Sequence, residues 1–126
     1  MEKELTQRVF DGKFRKRERI AKSKDFRAVY NKGISIKDGP FVLRYLPSLF
    51  SNSRLGFSIS SRSIRSAFRR NRVRRLFREV YRRHKRMIKG RLDMVIVVRQ
   101  NPPEKMAYQD AERVFIKLAK KAGISK

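Results

Sequence analysis

Between Arg65 and Arg86 the sequence reads RSAFRRNRVRRLFREVYRRHKR, with ten arginines and a single acid, Glu79. Guanidinium groups at this density suit one kind of chemistry. They are planar and forked, so each pairs with a phosphate through two hydrogen bonds or stacks on a base. Asn71, inside the run, adds a donor and an acceptor that can read a base edge or hold a bent RNA strand. The groups that would cut a phosphodiester are not gathered in the same way. A protein nuclease clusters carboxylates around metal ions or sets a histidine as acid or base. Here Glu2, Glu4, Asp11, Glu18, Asp25, Asp38, Glu79, Asp93, Glu104, Asp110 and Glu112 are scattered singly, mostly beside basic residues. Glu79 is expected to pair with an arginine of its own helix, and Asp25 to sit in the first turn of a short helix, where negative charge suits the dipole. His84, the one histidine, falls near an apolar stripe and reads as structural. There is no Gly-rich phosphate loop and no serine with a plausible base. These residues point to a binder of RNA or DNA with no catalytic group and no metal site of its own.

The totals agree. The chain of 126 residues carries 35 Lys and Arg against 11 Asp and Glu, a formal net charge of +24. Self-repulsion at that charge opposes the compact state, so a polyanion is the expected partner. Nucleic acid is the first candidate and an anionic membrane surface the second. The chain has no cysteine, which excludes disulfides and Cys-ligated metals and fits a reducing compartment. No window approaches the roughly 20 apolar residues that span a bilayer. The opening MEKELTQRVF has no apolar run of the kind a signal peptide needs. A cytoplasmic location is expected, with no membrane association and no obligate protein partner. Residues 1–13 read as a loosely ordered lead-in and 14–126 as a single RNA-binding domain.

The elements that must position these residues follow from periodicity and punctuation. Ser23 is expected to cap a short helix through Phe26, Val29 and Tyr30, with Gly33 stopping it. Phe26 and Tyr30 then share a helical face, as core residues or as platforms for bases. Asp38-Gly39 predicts a hairpin turn between two β-prone runs. In the second run Phe41, Leu43 and Tyr45 alternate with Val42, Arg44 and Leu46. RLGFSISS predicts a further strand with Leu55, Phe57 and Ile59 on one face. LDMVIVVR is β-branched and nearly uniform, as a central strand would be. A last helix is expected over 108–122, with Ala111, Val114, Phe115 and Leu118 buried and Gly123 at the stop. The order is α-β-β-β-α-β-α, an α+β sandwich of helices on a mostly antiparallel four-stranded sheet.

The arginine-rich segment is itself an amphipathic helix, closed by Gly90. Val73, Leu76, Phe77, Val80 and Met87 repeat at helical spacing, opposite Asn71, Arg74, Arg75, Arg78, Arg82 and Lys85. Arginines one turn apart repel by a few tenths of a kcal/mol per pair, while each buried Leu or Phe contributes ~1.5–3 kcal/mol. A polyanion on the basic face would relieve the repulsion and release counterions. Phe68 does not fit. It falls near the basic face, so either the helix starts after it or it packs on another neighbour.

The segment AFRRNRVRRLFREVYR resembles the signature helix of the bacterial ribonuclease P protein family. Arg70, Asn71 and Arg72 match its Arg-Asn-Arg core, Arg74 and Arg75 its following basic pair, and Arg78-Glu79 its Arg-Glu pair. KSKDFRAVYNKG, SRLGFSIS and LDMVIVVR resemble the family's first helix and the strands before and after the signature. The likeness runs in family order over about residues 14–120. It implies an α+β domain with an unusual left-handed crossover around the basic helix, an arrangement shared with a domain of a small-subunit ribosomal protein. It also implies two partners. One is a catalytic RNA subunit that removes the 5′ leader of precursor tRNA with magnesium (Mg2+), which the RNA would largely hold. The other is precursor tRNA, its leader gripped between the first helix and the sheet. The implied RNA-subunit face comprises Arg65, Arg69, Arg70, Asn71, Arg72, Arg74, Arg75 and Arg78. The implied leader cleft comprises Arg17, Arg19, Lys22, Phe26, Tyr30, Val42 and Arg44. Two departures stand out. SSRSIRSAF lacks the lysine pair and glycine usual before the signature helix, and Arg44 stands where an aromatic is common. A basic ribosomal or ribosome-assembly protein and a DNA-compacting protein are the competing readings.

Overall fold

The computed structural model describes residues 14–126, so the lead-in expected over 1–13 lies outside the described residues. Three helices, α1 (Ser23–Lys32), α2 (Ala67–His84) and α3 (Tyr108–Ala122), accompany four strands, β1 (Ile34–Asp38), β2 (Phe41–Pro47), β3 (Arg54–Ile59) and β4 (Leu92–Val98). Single 3-10 turns cover Lys16–Glu18 and Lys85–Met87. The sheet order is β1-β2-β4-β3. β1–β2 and β2–β4 are antiparallel, while β3–β4 is parallel, with α2 in the crossover between them.

The β1–β2 hairpin turns at Gly39, whose φ of +58° is open to glycine at no steric cost. Its register sets Asp38 opposite Phe41 and Lys37 opposite Val42. β4 is apolar from Met94 to Val98 because helices cover both faces of the sheet, and its one charged residue, Asp93, is buried. Met94, Ile96 and Val98 join Phe41, Leu43, Leu55 and Ile59 beneath α2 and α3. Val95 and Val97 turn the other way and join Val42, Val29 and Ile20 beneath α1.

α2 lays Val73, Phe77, Val80 and Tyr81 into the larger core. The Phe77 ring meets Phe41 edge-on at 5.4 Å, and Tyr81 meets Phe115 of α3 at 6.4 Å. α2 ends at His84, earlier than Gly90 implied, and the chain leaves through the 3-10 turn. His84 Nε2 lies 2.7 Å from Glu112 Oε2 and so ties α2 to α3. Lys85 pairs with the buried Glu18 at 3.1 Å. α3 buries Ala111, Phe115, Leu118 and Ala119 and stops at Gly123, φ +73°.

α1 starts one residue earlier than a Ser23 cap would allow. Lys22 is the cap, and its carbonyl accepts from the N–H groups of Asp25 and Phe26, so the Ser23 hydroxyl is not used. Gly33 does end α1, though by close approach. A Cβ there would sit 2.3 Å from the Val29 carbonyl oxygen.

Three acids and bases far apart in sequence lock α1 to the sheet. Arg54, 8% exposed, grips Asp93 through two bonds of 2.9 and 2.6 Å and reaches Asp25 in the first turn of α1 at 3.2 Å. Donating to the Asp93 carboxylate pushes the Arg54 guanidinium up from its ordinary value, against burial. Removing one partner of such a pair strands the other charge in a dry site, at about 3–5 kcal/mol. Arg54→Ala is therefore expected to lower unfolding free energy by that amount in denaturant titration. A loss under about 1 kcal/mol would show that Asp93 is solvated when unpaired.

Candidate nucleic-acid interface

The buried stripe of α2 turns its other faces outward, and the arginines there do two different jobs. Some tether neighbouring loops. Arg70 Nη1 donates to the carbonyls of Ile64 (2.8 Å) and Arg65 (2.9 Å), closing the loop before the helix. Arg69 Nη2 donates to Pro102 O at 3.1 Å, and Arg72 Nη2 to Met106 O at 3.0 Å. These two bonds hold the loop between β4 and α3 against α2. Arg82 and Arg83 both bond Glu79, the latter at 3.0 Å, as expected for a same-helix pair. The Arg82 hydrogen bond holds the Glu79 carboxyl below its ordinary range, against partial burial.

Arg74, Arg75 and Arg78 pair with no acid among the described residues. Arg74 Nη1 donates to Asn71 Oδ1 at 3.0 Å, a neutral partner that leaves the cation available. Asn71, Arg72, Arg74, Arg75 and Arg78 line one recess together with Phe68. Arg65 and Arg75 are exposed. Arg78 lies over the Phe57 ring at 5.6 Å, and its Nε is buried with no hydrogen-bond partner among the described residues. Burial lowers its guanidinium from the ordinary value, and repulsion from Arg19 and Arg74 adds to this.

On the opposite side of the sheet, α1 lies over β2 and β4 and reaches β3 through its side chains, for which Gly56 makes room. A Cβ at Gly56 would stand 2.8 Å from Phe26 Cζ and 3.1 Å from Ile20 Cβ. Phe26 is thus half-buried, with its ring resting on bare strand backbone. Its outer side opens on a recess shared with Phe14, Arg19, Phe57, Arg74 and Arg78. Tyr30 donates from its hydroxyl to Ser58 Oγ at 3.0 Å. The Arg44 guanidinium covers one face of the Tyr30 ring at 4.8 Å and donates to the Tyr30 carbonyl. Val42 is 5% exposed and forms the floor of the groove beside Tyr30 and Arg44. Arg17, Arg19 and Lys22 stand further along, around a recess next to Lys24, Phe50 and Arg54.

The sequence separates a helix face from a cleft; the fold joins them. Arg19 and Phe26 meet Arg74 and Arg78 in one recess, so a basic surface runs from α2 around β3 to α1. Lys37 and Arg99, absent from the sequence reading, also border the groove at Tyr30 and Arg44. Lys37 was within reach, because the hairpin register places it opposite Val42. Arg99 was not, since it depends on β4 pairing with β2, where its N–H donates to Pro40 O at 2.8 Å. Among the described residues no cluster of three or more acids, histidines or cysteines could hold a metal ion. No helix among them is long and apolar enough to cross a membrane.

A basic α+β protein that presents an arginine helix beside an aromatic groove is a nucleic-acid binder. Comparison with known proteins narrows the class. The Ribonuclease P family model matches residues 14–123. A ribonuclease P protein component from Clostridium botulinum is 39% identical over 111 residues, covering 86% of this chain and 97% of that protein. Its counterpart from Halalkalibacterium halodurans is 36% identical over 111 residues, covering 87% and 92%. The solved RNase P protein of Staphylococcus aureus superposes with a TM-score of 0.76 at 29% identity, covering 86% of this chain and 98% of that one. That of Thermotoga maritima gives 0.69 at 25% identity, covering 82% and 96%. The chain belongs to the ribonuclease P protein family.

The two jobs of the arginines predict different mutant phenotypes. Arg75→Ala and Arg74→Ala should each reduce the slope of log affinity against log salt for structured RNA by about 1, with no change in melting temperature. Arg70→Ala should lower the melting temperature as well, because two loop carbonyls lose their donor. Salt titrations of binding, paired with thermal unfolding of each variant, separate the two classes.

Proposed function

We propose that α2 docks on the catalytic RNA subunit of ribonuclease P and that the groove between α1 and the sheet holds the 5′ leader of precursor tRNA. The chain acts as the protein subunit of this endoribonuclease, in 5′ processing of tRNA. Family membership over nearly the whole described chain does not favour the ribosomal reading. The RNA-subunit face is formed by Asn71, Arg74, Arg75 and Arg78, with Arg65 at its edge and Arg69, Arg70 and Arg72 framing it and bracing the adjoining loops. The leader groove is formed by Phe26, Tyr30 and Arg44 over a floor at Val42, with Arg17, Arg19 and Lys22 supplying charge.

The observation that carries this reading is the continuity of the basic surface from Arg74 and Arg78 to Arg19 and Phe26. One RNA can lie on α2 while a single strand passes along α1, with Arg19, Arg74 and Arg78 lining the recess between them. Half-buried Phe26 can offer only its outer side, and Tyr30 only the face away from Arg44. Stacking on such rings gives ~1–3 kcal/mol per base, and it tolerates any base because each has a π-face. The protein positions and neutralises; the attacking water and the magnesium ions belong to the RNA subunit.

The test is reconstitution. Added to a bacterial ribonuclease P RNA at low magnesium, the chain should stimulate cleavage of precursor tRNA, and alone it should cut nothing. No stimulation would reject the reading. Phe26→Ala should weaken binding of leader-bearing tRNA to the reconstituted enzyme by roughly tenfold, with a much smaller effect on mature tRNA. Equal losses for both would trace the effect to misfolding of the α1–sheet contact.

A further inference from the structure

Phe68 lies in the first turn of α2, and at about 100° per residue it points away from the side that carries Phe77. The helix does begin before it, and among the described residues the ring finds no other packing site: Phe68 is 74% exposed. The rings of Phe50 and Tyr30, also exposed, each lie under a guanidinium, Arg54 at 4.3 Å and Arg44 at 4.8 Å. Among the described residues, no cation covers Phe68. Its neighbours are instead ranged around it. Asn71 and Arg72 follow one turn along the helix and Arg75 two turns along, and all four line the same recess.

This setting selects the occupant. An apolar protein surface laid on Phe68 would have to desolvate Arg72 and Arg75 without giving them partners, which is costly. An unpaired nucleobase meets every group present. It brings a π-face for the ring, polar edges for Asn71, and flanking phosphates for the arginines. The Asn71 carbonyl already accepts from Arg74, so its amide N–H groups remain to donate to a base edge.

We propose that Phe68 is a stacking platform for one unpaired base of the catalytic RNA, with Asn71 at the base edge and Arg72 and Arg75 at the adjoining phosphates. This rests on the reading that α2 docks on that RNA. It adds a specific contact to a face otherwise held by charge.

The chain contains no tryptophan, so Phe68→Trp supplies a single fluorescent reporter at the site itself. In the full-length chain, Trp fluorescence should be quenched on addition of ribonuclease P RNA, and affinity should stay within about twofold of wild type. Phe68→Ala should weaken binding about tenfold, inside the roughly 5- to 150-fold range for losing one stacked base. Phe68→Leu, equally apolar but without a π-face, should behave like Phe68→Ala. Neither should change the salt slope, since no phosphate contact is lost. Thermal unfolding of all three should match wild type, as the ring is exposed.

Unquenched Trp, or Phe68→Ala binding within about twofold of a wild-type chain that does bind and stimulate the RNA, overturns the platform and leaves the docking reading intact. Leucine restoring full affinity overturns it in favour of simple apolar contact. Loss of self-association in Phe68→Ala, with RNA affinity unchanged, overturns it in favour of a second copy of the chain. A wild-type chain that does not bind the RNA at all removes the docking reading and the platform together.

Discussion

The contact between the apolar side of α2 and the sheet is what permits this protein to carry its charge. Arginines crowd the helix, and each neighbouring pair works against it by a few tenths of a kcal/mol. Val73, Phe77, Val80 and Tyr81 are buried on the other side, each large side chain contributing ~1.5–3 kcal/mol. The balance favours the helix by a wide margin, so repulsion is expressed outward as potential and does not unfold the element. Phe77 against Phe41 and Tyr81 against Phe115 fix the rotation of α2 about its axis. That rotation decides which arginines face solvent.

A second economy lies in how the arginines are used. A guanidinium has five donors and no acceptor. Arg69, Arg70 and Arg72 each spend one or two of these on loop carbonyls and keep the rest. The loops on either side of α2 are thereby braced by the same residues that frame the basic face. Docking a polyanion there would also stiffen the loops, because phosphate contacts restrict the guanidinium that tethers them.

On the other face of the sheet, order comes from a buried ion pair. Arg54 holds Asp93 of β4 and Asp25 of α1, so the short helix is fixed to two strands at its first turn. Gly56 then lets Phe26 settle against the strand, and Tyr30 reaches Ser58 one turn later. The depth of the groove, and the share of each ring it leaves open, follow from these three contacts.

The sequence alone determined a great deal here. Strong periodicities revealed the element order, the central place of β4, the hairpin at Gly39 and the stop at Gly123, because these signals are local. Charge density identified the basic helix, and the ordered family resemblance carried the function. What stayed out of reach was every feature created by chain crossings. Asp25, Arg54 and Asp93 look like three isolated charges in sequence, and only the pairing of β3 with β4 under α1 makes them a network. Arg70 and Arg72 stand out in sequence only as part of the signature core, and their tethering role exists only once the loops fold back to offer carbonyls. Phe68 was legible as a misfit, since its phase conflicts with the stripe. Its exposure was decided by the tertiary structure, in which α2 starts at Ala67 and no other element among the described residues covers the ring. Spacing along the chain tells which face a residue is on; only the packing of other elements tells what that face meets.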